Sequence, residues 1–106
     1  MKQSKRKRLQ AAGWKVGSAA EFLGLTTNES LLVEVKLALA DAVRMQRRKL
    51  GLTQAELGKR MRSSQSRVAK LEAADATVSL DLLVHALASL GITRKQLARA
   101  LGAAAA

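Results

Sequence analysis

Residues 53–73 read TQAELGKRM RSS QSRVAKLEA, from Thr53 to Ala73. Thr53 is followed three residues later by Glu56, a spacing that lets the two side chains satisfy orphan helix N–H groups reciprocally. Strong helix formers then run to Met61. Arg62-Ser63-Ser64 interrupts the pattern, and a second run follows from Gln65. The spacing predicts helices over 53–61 and 64–73 joined by a three-residue turn. Ala55, Leu57 and Met61 suit the buried side of the first. Val68 and Leu71, at i and i+3, pin the second. At about 100° per residue, the side opposite Val68 and Leu71 carries Ser66, Ala69, Lys70 and Ala73, with Gln65 and Arg67 flanking it. An idle solvent side more often carries Glu–Lys pairs. Here the one acid, Glu72, turns back toward the core.

Working outward, the Thr53/Glu56 start pattern recurs at Ser18/Glu21, Thr26/Glu29 and Thr93/Gln96. Gly24, Gly51 and Gly91 stand where left-handed helix caps are expected. Arg47, Arg48 and Lys49 complement a helix dipole just before Gly51. Six helices are predicted, over 18–23, about 27–50, 53–61, 64–73, 79–90 and 93–101. No stretch alternates with period two, so the fold class is all-α. In the long second helix Leu32, Val35, Leu39 and Val43 form one apolar stripe, and Leu31, Ala38, Ala42 and Met45 widen it. So broad a stripe calls for more than one neighbour, either the 18–23 helix or a partner subunit. Leu80, Leu83, Val84, Leu87 and Leu90 are expected in the core. Leu82 and Ala86 fall off that face and suit a dimer contact. Residues 1–10 read as a disordered, mobile basic tail, and 103–106 as a frayed one.

The chain has 106 residues, the common size of one domain. It has no Cys, which excludes disulfides and thiolate metal sites. No apolar run approaches the roughly 18 residues of a membrane span, and no apolar stretch after the basic start suits a signal peptide. A cytoplasmic location without membrane contact is expected. Nineteen Lys and Arg against eight Asp and Glu give a net charge of +11. Between residues 44 and 70 stand Arg44, Arg47, Arg48, Lys49, Lys59, Arg60, Arg62, Arg67 and Lys70, with Glu56 the only acid. Clustered positive charge is the footprint of a nucleic-acid binder; an acidic membrane or an acidic protein is the alternative. The Lys5–Arg8 run is either a solvated tail or an arm that tracks phosphates or the minor groove. Trp14 and Phe22, the only aromatics, suit anchors better than stacking platforms, which use several exposed rings. His85, the only histidine, reads as a solvated helix position or a dimer contact. No Gly-rich phosphate loop and no nucleophile–base set is present, and Glu21, Asp41, Asp75 and Asp81 form no motif. Neither an enzyme nor a metal nor a cofactor is expected.

Gly51-Leu52-Thr53-Gln54-Ala55-Glu56-Leu57, then Ser64-Gln65-Ser66-Arg67-Val68, then Leu71-Glu72, then Ser79-Leu80-Asp81-Leu82-Leu83 resembles the phage-repressor-like (Xre) helix-turn-helix family, from about Val43 to Gly91. Gly13-Trp14-Lys15-Val16-Gly17-Ser18 through Phe22-Leu23-Gly24-Leu25-Thr26 is similar to an N-terminal extension in a subgroup that includes HigA-type antitoxins. The resemblance implies a compact five- to six-helix lambda-repressor-like DNA-binding domain over 11–102. In it 11–30 is the extension, 31–91 the family core and 92–102 a C-terminal helix. It implies base reading by Gln65, Ser66 and Lys70, which Ala69 joins by its place on the same outer face. It implies DNA-backbone contacts by Gln54, Ser64 and Arg67, which the cations Lys49, Arg60 and Arg62 are expected to join. It also implies an ion pair of Arg47 with Glu72; Glu72 rotates toward the buried side, where a charge needs a partner. Three residues depart from the family. Arg62 and Ala74 stand where it usually has Gly, and Arg62 falls where φ is often positive, so either the turn is rearranged or strain is tolerated. Gln46 stands where it has an apolar core residue. The implied function is a sequence-specific repressor acting as a homodimer on double-stranded DNA. The alternatives are an antitoxin that neutralises a small toxin protein through 11–40, and a non-specific architectural binder.

Overall fold

The computed structural model describes residues 27–104. They form five helices and no strand among the described residues: α1 Thr27–Lys49, α2 Gln54–Arg60, α3 Gln65–Glu72, α4 Leu80–Ser89 and α5 Arg94–Ala104. The expected 18–23 helix, the starts at Ser18 and Thr26, the cap at Gly24, Trp14, Phe22 and the basic 1–10 segment lie outside the described residues. Helix α5 continues through Ala104, past the expected end at 101.

Local chemistry explains the boundaries. Thr53 and Glu56 form the reciprocal start box: the Glu56 N–H donates to Thr53 Oγ1 at 3.1 Å, and the Thr53 N–H donates to Glu56 Oε1 at 3.0 Å. Thr93 and Gln96 repeat it for α5 at 2.9 and 3.1 Å. Ser64 and Ser79 cap α3 and α4 with a single side-chain bond each. At their other ends α1 and α4 close on Gly51 (φ 70°) and Gly91 (φ 75°), conformations that glycine adopts without strain.

Helix α1, about 35 Å long at 1.5 Å per residue, is the spine against which α3, α4 and α5 pack, while α2 packs on α3 and α4. Leu57, Val68, Leu71 and Leu83 are fully buried at the centre, with Val43, Ala86 and Leu87 around them. Leu39 and Val43 of the expected stripe, and Ala38 beside it, are buried, but the N-terminal part of the α1 face differs from the expected one. Its buried stripe is Val33, Leu37, Ala40 and Val43 with Leu39, while Leu31 and Leu32 are exposed and Val35 is half-buried. Packing against α3, α4 and α5 selects the buried side, and the sequence stripe was too broad to choose it. In α2, Ala55 is exposed, so Leu57 and Met61 carry the burial. In α4, Val84 is exposed and Ala86 is buried. The core face runs through Leu83, Ala86, Leu87 and Leu90, which removes Ala86 from any surface. No helix among the described residues is long and apolar enough to cross a membrane.

Candidate nucleic-acid interface

The α2–α3 unit is held at a tight crossing. A Cβ built on Gly58 would meet the Ser64 carbonyl carbon at 3.0 Å, its oxygen at 3.1 Å and the Ser63 oxygen at 3.2 Å. A side chain at 58 would push the start of α3 away from α2 by a few tenths of an ångström. The sequence reading passed over Gly58, although an isolated glycine inside a helical run is a signal of close approach.

Helix α2 ends in a motif that binds its own last carbonyls. The Ser63 N–H donates to Gly58 O at 2.7 Å, and the Arg62 N–H to Lys59 O at 3.1 Å, with Arg62 at φ 56°. Helix α3 ends the same way: the Asp75 N–H donates to Lys70 O and the Ala74 N–H to Leu71 O, both at 3.1 Å, with Ala74 at φ 54°. This is the six-to-one and five-to-two pattern of a left-handed cap. The turn is therefore not rearranged at Arg62, and the residue carries the strain.

Helix α3 buries Val68 and Leu71 completely and leaves Gln65, Ser66, Arg67, Lys70 and Ala73 exposed. Ala69 is half-buried at the edge of the outer face. Beneath the helix, Arg47 and Glu72 meet in a two-pronged pair, Nε to Oε2 at 2.6 Å and Nη2 to Oε1 at 2.9 Å. Their side chains are only 11% and 5% exposed. Arg47 also donates from Nη1 to Leu52 O at 2.8 Å, so one guanidinium joins α1, the turn before α2 and the end of α3. The hydrogen bond to Glu72 lifts the Arg47 guanidinium above its ordinary pKa, burial opposes this, and the Glu72 charge adds to it. Gln54 donates from Nε2 to Glu72 Oε1 at 3.3 Å and accepts at Oε1 from Gln65 Nε2 at 2.7 Å.

A polar notch of about 280 Å³ opens between α3 and the segment leading into α4, lined by Ser64, Ser66, Arg67 and Lys70 on one side and Thr77, Val78 and Leu82 on the other. Asp75 shapes that second wall. Its Oδ1 accepts from the Thr77 hydroxyl at 2.6 Å and from the Thr77 N–H at 2.9 Å. These two bonds, the hydroxyl first, and the nearby Lys70 charge hold its carboxyl below the usual range. The Thr77–Leu82 wall was missed by the sequence reading; the Asp75-Ala76-Thr77 spacing, which favours such a side-chain turn, was its signal.

Other expected residues stand elsewhere. Lys49 lines an apolar groove between α1 and α5, with Met45, Ile92 and Arg99. Arg60 is exposed on α2, its Nη1 at 3.5 Å from Ser89 O. Gln46 is half-buried and donates from Nε2 to Leu90 O at 3.3 Å, which explains an amide at an otherwise apolar position. His85 is exposed. No group of three or more metal-ligating side chains occurs among the described residues.

Searches of curated proteins and of solved structures give no match to this chain. Residues 43–84, less than half of the chain, match a family model described as helix-turn-helix. The matched segment runs from the end of α1 into α4 and contains the whole α2–α3 unit. Residues 43–84 thus resemble a helix-turn-helix, of the Xre-like kind found in DNA-binding transcription regulators, and the resemblance is confined to that segment.

Proposed function

We propose that this protein is a sequence-specific transcription regulator of the repressor type, acting as a homodimer that inserts α3 into the major groove of double-stranded DNA. One observation carries the reading. Within the segment that matches the helix-turn-helix model, α3 buries Val68 and Leu71 fully and turns only hydrogen-bonders, cations and small residues outward. Gln, Ser and Lys are groups that pair with base edges, and small residues such as Ala69 let a helix sit deep. In this reading Gln65, Ser66, Ala69 and Lys70 face bases. Gln54, Ser64, Arg67, Arg60 and Arg62 meet phosphates, where contacts set register rather than sequence; Lys49, on the α1–α5 groove, stands apart from them.

Size supports two copies. The eight residues of α3 span about 12 Å, close to the width of the major groove, so one head covers about four base pairs. A second copy related by a twofold axis addresses a second half-site about one helical turn away. The test is selection of bound duplexes from a random pool, with the mass of the complex measured alongside. A palindromic site bound by a dimer is expected. Random duplexes bound without preference would count for an architectural binder, and co-purification with a small toxin protein for an antitoxin.

A further inference from the structure

The hydrogen bonds beneath α3 form a directed chain. Arg47 occupies both oxygens of Glu72, and Oε1 takes a second donor, Gln54 Nε2. A carboxylate held by a guanidinium only accepts, so the end of the Gln54 amide that faces it must be the NH₂. The Gln54 oxygen then faces outward, where it accepts from Gln65 Nε2 at 2.7 Å. An amide oxygen also only accepts, so Gln65 must turn its NH₂ inward. Each link fixes the polarity of the next.

We propose that Glu72 is a positioning residue for base reading: its carboxylate sets the amide orientation of Gln54 and, through Gln54, which edge of Gln65 meets the DNA. Glu72 is buried beneath α3 and cannot touch a base itself. Gln65 is exposed, and a free glutamine amide rotates between two nearly equivalent settings about its last torsion. With the chain intact, Gln65 offers its oxygen and its remaining N–H together, one acceptor beside one donor. With the chain broken, it samples both orientations and discriminates less. The clamp that ties α1 to α3 thus also serves specificity. This inference rests on α3 being the reading helix.

Two measurements test it. In the free protein, one side-chain amide proton of Gln65 should be shifted and slowed in exchange by NMR. Gln54→Met, which keeps length but removes both relay contacts, should return it to the values of a free glutamine. So should Glu72→Gln, whose amide imposes no polarity. Because Glu72→Gln leaves Arg47 facing a neutral group, the double variant Arg47→Met/Glu72→Met, which replaces the pair by apolar groups of similar volume, tests Glu72 in a fold without a stranded charge. In duplex selection, these variants should lose about two- to tenfold preference, the equivalent of one ordinary hydrogen bond. That loss should fall at the base pair whose preference Gln65→Ala abolishes, and not at positions that depend on Lys70. A uniform loss of affinity with an unchanged profile, or an unchanged Gln65 amide signal, overturns the inference alone. A wild-type protein that selects no sequence overturns the regulator reading and the inference with it.

Discussion

At the residue scale, the two strained caps show how side chains trade against backbone. Arg62 and Ala74 both sit at φ near 55°, where a residue with a Cβ costs about 1–2 kcal/mol relative to glycine. Arg62 is exposed and Ala74 is buried. Arg62→Gly should therefore stabilise the protein by about 1 kcal/mol, since it relieves strain and loses no packing. Ala74→Gly relieves the same strain but removes a buried methyl worth about 0.8 kcal/mol, so it should be nearly neutral. Urea unfolding midpoints of the two variants check the difference; equal gains would show that packing around Ala74 contributes nothing. The sequence raised the choice at Arg62 between a rearranged turn and tolerated strain. It was not decidable there, because the choice rests on whether Gly58 and Lys59 keep their carbonyls in place, and that depends on the crossing with α3. The polarity of the Gln54–Gln65 contact was likewise out of reach: the residue types were legible, but the chain of donors exists only once the fold has brought Arg47 of α1 and Gln54 of α2 to Glu72 at the end of α3.

At the element scale, helix starts and stops were the most legible feature, because they are local. The Thr53/Glu56 and Thr93/Gln96 boxes and the Gly51 and Gly91 caps need only a few neighbouring residues to form. Buried faces were less legible, because α1 carries apolar residues on most sides and only its partners select among them. Gly58 belongs to this second kind. Helix propensity alone predicts that Gly58→Ala stabilises α2 by about 1 kcal/mol. The Ser63 and Ser64 backbone atoms at 3.0–3.2 Å from the new Cβ oppose that, and the Ser63 N–H bond to Gly58 O keeps them from moving away. Overpacking costs about 1–3 kcal/mol, so a net destabilisation of about 1 kcal/mol is expected in a urea titration. The caps also fix the acid response. The Thr53 N–H, then the Thr53 side chain and the charges of Arg60 and Lys59, hold the Glu56 carboxyl below its ordinary value, as Thr77 does for Asp75. Both groups titrate lower in the folded than in the unfolded chain. Their contribution is thus present above the unfolded values, near pH 4, and is lost as pH falls through the folded ones. Melting temperature should fall below about pH 4, and Glu56→Gln/Asp75→Asn should flatten that decline by lowering the melting temperature slightly at pH 7 while leaving it nearly unchanged at the acid end. Both carboxyls are exposed, so the effect is small; an unchanged acid slope in the double variant would show that other carboxylates set it.

At the scale of the whole molecule, the separation of charge predicts how binding responds to salt. Lys59, Arg60, Arg62, Arg67 and Lys70 are exposed on the α2–α3 unit. The two acids of that unit are engaged, Glu56 in the start box of α2 and Glu72 beneath Arg47. The unit therefore presents cations to a phosphate backbone with little internal compensation. Each phosphate neutralised releases condensed counterions, so the logarithm of affinity falls with the logarithm of salt by about 0.9 per contact. Arg67 flanks the proposed reading face near the start of α3, and Lys70 lies on that face about one turn further on. Arg67→Ala should flatten the slope by about one contact and weaken all duplexes alike. Lys70→Ala should instead relax preference at particular base pairs. Arg99, exposed on the α1–α5 groove wall, is the control on another part of the surface; its change to Ala should leave slope and preference untouched. Binding titrations on the selected and a scrambled duplex at several salt concentrations separate these outcomes. If Arg67 and Lys70 variants shift slope and preference in the same way, the division of α3 into a base-reading face and a phosphate-facing flank is wrong. If Arg99 behaves like Arg67, the DNA is held by general charge, and the orientation that α3 owes to Arg47, Glu72 and Gly58 has no part in recognition.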